Sequence, residues 1–258
     1  MSTILFPSPI FGPVRSRRLG ISLGINLLPA DGKICSFDCI YCECGRNAGH
    51  HAREHMPTRA LVAEMLESAL NDMTKQGELP DAITFAGNGE PTGHPDFAEI
   101  MSDTIVLRNR YAPNCKVTVL TNATHLDRPS VIVGLEQADL VLMKLDTVNR
   151  DYIELVDRPN ARYDVESMIK RMSAFKGHCG IQTMFLRGQF QGQTVDNTSE
   201  NYVAPWLEAL RRIKPELVTI YTIDRETPEK GLRKADPEVL NTIAERVRSL
   251  GFRTTVSY

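Results

Sequence analysis

Ala82-Ile83-Thr84-Phe85-Ala86-Gly87-Asn88-Gly89-Glu90-Pro91 decides the fold class. Its first five residues form a short strand of the buried type, and the glycine-rich turn Gly87-Asn88-Gly89-Glu90-Pro91 closes it. On the N-terminal side, Arg59 to Gln76 carries Leu61, Met65, Leu66, Ala69 and Leu70 on one face at helical spacing. On the C-terminal side the alternation repeats. Helices at about 96–109, 129–136, 164–175, 199–213 and 236–249 alternate with apolar strands at 117–121, 140–146, 180–185 and 217–222. Gly251 caps the last helix, Thr254-Thr255-Val256 forms a terminal strand, and another strand over 21–28 opens the series. Apolar strands alternating with amphipathic helices imply a parallel sheet covered by helices and built by right-handed crossovers. About six strands in the main series, plus the terminal one, fall short of the eight that close a barrel. The expected fold is therefore α/β, an incomplete (β/α)6-type barrel open on one side. No repeat, low-complexity linker or break in composition divides the chain. Residues 1–258 read as a single domain with a core of about 20–225 and a C-terminal helix and strand over 226–258.

Composition narrows the function. With 42% hydrophobic and 24% charged residues the 258-residue chain is an ordinary globular protein, neither disordered nor a disulfide miniprotein. The formal net charge of −2 argues against a protein that coats nucleic acid. No run approaches eighteen apolar residues, so no membrane span is expected. Met1-Ser2-Thr3-Ile4-Leu5-Phe6-Pro7 lacks the features of a secretory signal, and the expected location is cytoplasmic.

Polar residues gather at the C-terminal ends of the expected strands: Asn88 and Glu90, Thr121 and Asn122, Lys144 and Asp146, Gln182 and Thr183, Asp224 and Arg225. That rim is where parallel α/β proteins place ligands. Any one of these residues has a plainer reading as a turn or helix-cap residue. Five pairs on one rim favour a ligand site. Lys144 has its own plain reading, a snorkelling lysine paired with Asp146 on the same face of the strand.

Four of the six cysteines crowd into ten residues, Cys35, Cys39, Cys42 and Cys44. The run Cys35-Ser36-Phe37-Asp38-Cys39-Ile40-Tyr41-Cys42 spaces three thiolates as C-x₃-C-x₂-C. Such a trio can hold three corners of a four-iron cube and leave the fourth iron open for catalysis. Phe37 and Tyr41 would wall it from water. A closed zinc site completed by Cys44, His50, His51 or His55 is the competing reading, although zinc knots usually pair two hooks and a second hook is missing. Cys44 reads as a bystander to the trio, and Cys115 and Cys179 as small core residues.

The C-x₃-C-x₂-C loop, with Tyr41 before the third cysteine and Gly89-Glu90-Pro91 at the end of the next strand, resembles the radical S-adenosylmethionine (SAM) superfamily over about residues 20–225. That resemblance implies a [4Fe–4S] cluster on Cys35, Cys39 and Cys42 and an oxidoreductase that uses S-adenosyl-L-methionine. It implies reductive cleavage of SAM to a 5′-deoxyadenosyl radical that takes hydrogen from a substrate. By the same resemblance Tyr41 lies against adenine, and Gly89, Glu90 and Pro91 receive the methionine amino group. Thr121 and Asn122 meet ribose hydroxyls, while Lys144 and Asp146 contact the SAM carboxylate, ribose or substrate. Asn88 replaces the first glycine of the usual Gly-Gly-Glu-Pro. Arg17 or Arg18 is a second candidate for the carboxylate if the N-terminal segment folds over the mouth.

Arg17-Arg18-Leu19-Gly20, Gly87-Asn88-Gly89-Glu90-Pro91-Thr92 with His94-Pro95, and Lys144-Leu145-Asp146 further resemble small bacterial iron–sulfur oxidoreductases grouped with wyosine-pathway tRNA-modifying enzymes. Those tRNA enzymes bind a second cluster through cysteines ahead of the SAM motif, and this chain has none before Cys35. A metabolite or peptide substrate therefore ranks above tRNA, with flavodoxin or ferredoxin as the implied reductant. A glycyl-radical activating enzyme is an alternative of the same chemistry. A non-catalytic iron–sulfur or zinc protein is the alternative from another class.

Overall fold

The computed structural model describes residues 4–16, 19–47 and 51–258. β1 (Ile10–Ser16) turns back into β2 (Gly20–Ile25), and the cysteine loop follows as irregular backbone. α1 (Arg59–Gln76) leads to β3 (Ala82–Phe85), α2 (Phe97–Tyr111) to β4 (Lys116–Thr121), and α3 (Pro129–Glu136) to β5 (Leu140–Lys144). α4 (Arg150–Tyr152) runs into a wide π-type turn over Ile153–Asp157, after which α5 (Val165–Ser173) precedes β6 (Gly180–Met184). A hairpin of β7 (Leu186–Phe190) and β8 (Gln193–Asp196) interrupts the alternation before α6 (Glu200–Ile213) and β9 (Leu217–Tyr221). Then come β10 (Leu232–Lys234), α7 (Pro237–Ser249) and β11 (Arg253–Ser257).

The main sheet runs β1-β2-β3-β4-β5-β6-β9-β11, and β2 through β11 within it pair parallel. It curls into a half-barrel, as the alternation of strands and helices implied. Register aligns Ile25, Phe85, Val119 and Val141 across four strands, and each is 0% exposed beneath the helices. The next residues along each strand turn to the concave face, since side chains alternate. A smaller apolar cluster around Phe37, Ile40, Tyr41, Tyr152, Val156 and Met184 seats the cysteine loop. No helix among the described residues is long and apolar enough to cross a membrane.

Three expectations are corrected. The buried stripe of α1 is Val62, Leu66, Leu70 and Met73, whereas Leu61 and Met65 are 42% and 38% exposed. The apolar residues on α1 span more than one face, and the sheet selects the stripe one position away. β1 was not anticipated. It pairs antiparallel with β2, carries Pro13 and an irregular register between Phe11 and Val14, and is largely exposed, so it has the marks of an edge strand rather than an apolar run. The β7–β8 hairpin was also missed, and β10 pairs with it as a separate three-stranded sheet. Its turn residues Gln191 and Gly192 both take positive φ, 51° and 76°, as tight two-residue hairpins require.

Candidate active site

Two loops from different parts of the chain are locked together by backbone. The amide of Ile34 donates to the Asn88 carbonyl (3.0 Å) and the amide of Glu90 to the Ile34 carbonyl (3.1 Å), so Ile34 and Gly89 form a parallel bridge. A Cβ on Gly89 would lie 1.8 Å from the Ile34 carbonyl oxygen, and its φ of 138° also excludes other residues. Only glycine lets the Gly-Glu-Pro turn sit this close to the residue before Cys35. The far side of the cysteine loop is held likewise. Ile40 N–H donates to Val156 (2.9 Å) and Asp38 N–H to Asp157 (3.1 Å), and the Asn160 side-chain amide donates to the Cys35 carbonyl (2.7 Å).

Inside this frame Cys39 is buried and Cys35 and Cys42 are half-buried. Burial pushes Cys35 up to about 12, helped by the Glu90 carboxylate, and raises Cys39 well above the ordinary range. Cys42 is pulled down to about 6 by a hydrogen bond from Cys44 and by the Lys33 ammonium. Lys33, absent from the sequence reading, is a buried cation between Cys35, Cys39, Cys42 and Asp38. Its Nζ donates to the Gly45 carbonyl at 2.8 Å. Burial acts to lower its pKa, but the sulfurs and Asp38 outweigh that and raise it. Cys44 also contacts the Gly87 carbonyl, at 3.4 Å. Cys115 and Cys179 lie in the core as expected.

The donor set fits an iron–sulfur cluster: soft thiols, shielded by Phe37 and Tyr41, on a loop shaped by backbone bonds. Among the described residues no three His, Cys, Asp or Glu side chains gather around a point that would hold a single metal ion. His51 and His55 are exposed, and His50 lies outside the described residues, as do Arg17 and Arg18.

Glu90 is buried, and its carboxylate accepts from Thr92 Oγ1 (2.6 Å), Thr121 Oγ1 (2.6 Å) and the Asn122 amide (2.7 Å). Burial raises its pKa and these donors act against that. Asn122 also donates through Nδ2 to Ser36 Oγ (2.8 Å), which ties the end of β4 to the cysteine loop. Thr121 and Asn122 thus serve the carboxylate that follows Gly89.

Lys144 and Asp146 meet as the plainer sequence reading proposed, within a larger buried group. Lys144 pairs with Asp146 and with Asp157 (2.8 Å), and the Tyr41 hydroxyl accepts from Lys144 while donating to Asp146. Asp146 also accepts from the Met184 amide (2.9 Å). Asp157, delivered by the π-type turn, was not singled out in the sequence. Burial lifts it to about 7, with Asp146 adding to the rise and Lys144 opposing it. One cation between two carboxylates leaves this pocket an acceptor of protons. Gln182 and Thr183, in contrast, bond to the carbonyls of Leu142 (3.0 Å) and Leu145 (2.7 Å) and are structural.

Asn88 explains its departure from glycine. Its Oδ1 accepts from the Phe6 amide (2.8 Å), and its Nδ2 donates to the carbonyls of Phe6 (2.9 Å) and Pro29 (2.8 Å). Asn26 adds a bond from Nδ2 to the Phe6 carbonyl (3.1 Å). Together they strap the N-terminal segment across the concave face. Beneath it lies a cavity of about 410 Å³, lined by Phe6, Phe11, Tyr41, Cys42, Met184 and Tyr221. Arg15 and Arg225 line it too, and Arg225 pairs with Glu43 at 2.8 Å. A larger cleft, about 820 Å³, opens beside Asp38, Arg158 and Tyr163. The smaller one is the ligand candidate because it alone of the two reaches Cys42 and the strand ends.

Comparison with known proteins accords with this geometry. The family model described as Radical SAM superfamily matches residues 31–196. A UPF0026 protein of Synechocystis is 32% identical over 89% of this chain and 79% of its own length. A protein of Brachyspira hyodysenteriae named GTPase Obg is 30% identical over 89% of this chain but only 32% of its own length. Streptococcus suis SuiB, solved bound to S-adenosylmethionine and also to precursor peptide SuiA, superposes with a TM-score of 0.63 at 16% identity, over 90% of this chain and 50% of SuiB. The chain thus spans about a third of the Brachyspira protein and half of SuiB. The narrower likeness to the wyosine-pathway group finds no support in these relatives. The chain belongs to the radical SAM superfamily and, by its likeness to the Synechocystis protein, to the UPF0026 proteins.

Proposed function

We propose that this chain is a radical SAM oxidoreductase that holds one [4Fe–4S] cluster through Cys35, Cys39 and Cys42 and binds SAM beside it. The observation that carries the reading is the backbone bridge between Ile34 and Gly89, which sets the sulfur ligands next to the Gly-Glu-Pro turn. When bound, the reduced cluster supplies one electron to the SAM sulfonium, giving methionine and a 5′-deoxyadenosyl radical that abstracts hydrogen. The protein's own part is to bind and exclude water. Backbone carbonyls at Gly89–Pro91 receive the methionine ammonium, and Glu90 adds negative charge behind them. Thr121 and the Asn122 amide fix Glu90, and the Asn122 side chain is taken up by Ser36 and Thr124, so that any contact of these two residues with ribose is indirect. Tyr41 borders the cavity and provides the face for adenine. Lys144 and Asp146 stand behind Tyr41, bonded to its hydroxyl, and Phe6 and Phe11 line the cavity as well. A metabolite or peptide substrate suits the near-neutral charge, and the fold shared with peptide-bound SuiB favours the peptide. The sheet continuous from β1 to β11 supports one domain, and a flavodoxin or ferredoxin is the proposed electron donor.

Anaerobic reconstitution with iron and sulfide tests this. Wild type is expected to bind about four irons in the manner of a cysteine-ligated cluster, to change its EPR signal when SAM is added, and to release 5′-deoxyadenosine with dithionite. An EPR signal unmoved by SAM, with no nucleoside formed, would falsify the reading.

A further inference from the structure

The side chain of Lys33 is 1% exposed, and an ammonium that deep is costly unless negative charge stands close. Its one carboxylate ion-pair partner among the described residues, Asp38, is 3.7 Å away and is shared with Arg46 (3.6 Å) and Arg158 (4.0 Å). Asp38 also accepts from the Asn47 amide at 2.7 Å. Arg46 has a second partner in Glu229 (2.9 Å), outside the loop. Three cations thus share the Asp38 carboxylate, while Glu90 and Asp157 stand on the other sides of the loop, beside Cys35 and Cys39. The hydrogen bond from Lys33 to Gly45, whose own amide bonds to the Cys42 carbonyl (2.9 Å), sets the ammonium at the turn after Cys42, where the sulfurs of Cys42, Cys35 and Cys39 act on it electrostatically. The neutral Gly45 carbonyl fixes where the ammonium sits but does not balance it.

The buried Lys33 ammonium, left with a shared carboxylate, is matched by an anionic group carried on the three sulfurs. The match is unequal between oxidation states, because the one-electron-reduced cluster carries one more negative charge than the oxidised one. A fixed cation shielded from water stabilises the more negative state more, and hydrogen bonds to the sulfurs act in the same sense. We propose that Lys33 sets the reduction potential of the cluster, its buried ammonium favouring the reduced form through the Cys42 sulfur. The step is a single-electron gain from an external low-potential donor, dithionite in the test below, with no proton taken up and no bond broken. The inference rests on the cluster assignment proposed above.

The test is a redox titration of anaerobically reconstituted protein without SAM, followed by the EPR signal of the reduced cluster. Lys33→Gln keeps a donor and removes the charge; Lys33→Arg keeps the charge. At the poise that half-reduces wild type, the reduced-to-oxidised ratio in Lys33→Gln is expected to fall about tenfold, equivalent to ~59 mV for one electron. Lys33→Arg is expected to stay near the wild-type ratio. A Lys33→Gln protein that carries its cluster and reduces at the wild-type poise overturns the proposal and leaves the cluster assignment standing. Wild type without any cluster overturns both. If Lys33→Gln holds no cluster, Lys33→Arg decides. The wild-type poise there upholds the role of charge, and an empty or shifted site reduces Lys33 to a tie across the loop.

Discussion

Asn88 shows how one residue can depart from a motif and still serve it. Its side chain makes three hydrogen bonds to backbone of the N-terminal segment and of Pro29, all inside the protein. Asn88→Gly restores the glycine usual at this position but frees that segment. The variant is expected to lose about 1–3 kcal/mol in urea unfolding and to expose residues 4–9 to faster hydrogen exchange. Unchanged exchange there would show that the strap is held elsewhere. The sequence displayed the substitution but not its reason, since Phe6 lies 82 residues away. Asp157 was unreadable for a similar cause: it matters through Lys144 and Asp146, which a π-type turn brings to it. Its pKa, about 7 in the folded apoprotein, lies above the unfolded value near 4. Between the two the unfolded chain binds fewer protons than the folded one. This carboxyl therefore lowers stability progressively as pH rises from about 4 to 7, with no further loss above. Asp157→Asn is expected to remove that slope, read as the difference between urea midpoints of variant and wild type across the range.

At the level of elements, sequence periodicity placed α1 and α3 at their observed bounds and each parallel strand within a few residues. Apolar runs and helical spacing are local signals, and burial on both faces leaves little ambiguity about type. The strands that escaped, β1, β7, β8 and β10, are short, polar or marked by proline and glycine, and they exist through their pairing. The junction of the cysteine loop with the Gly-Glu-Pro turn is equally non-local, although both motifs were plain in the sequence. Gly89→Ala probes that junction. Clash with the Ile34 carbonyl is expected to part the loops, with iron retention after reconstitution falling to less than half of wild type and the β3 strand itself unaffected in hydrogen exchange. Full iron retention would mean that the bridge is dispensable.

For the molecule as a whole, the half-barrel was legible because alternating elements admit few topologies, and the rim because parallel strands end on one side. The cavity was not, since its walls come from β1, the cysteine loop and β9 together. Anything that binds the folded state alone raises its stability by mass action. Reconstitution is accordingly expected to raise Tm by several degrees in wild type and in Cys44→Ala, and to leave Cys39→Ala unchanged. A Cys44→Ala protein that fails to gain would return Cys44 to the ligand set.

The cysteine loop is fastened on both flanks by main-chain bonds to Asn88 and Glu90 on one side and to Val156 and Asp157 on the other, none of which needs an inorganic core. On the cluster proposed above, air that strips the iron is accordingly expected to leave a shaped mould rather than a loose end. Injury of that kind is expected to be mendable, with resupplied iron and sulfide refilling the mould without the chain having to be made again.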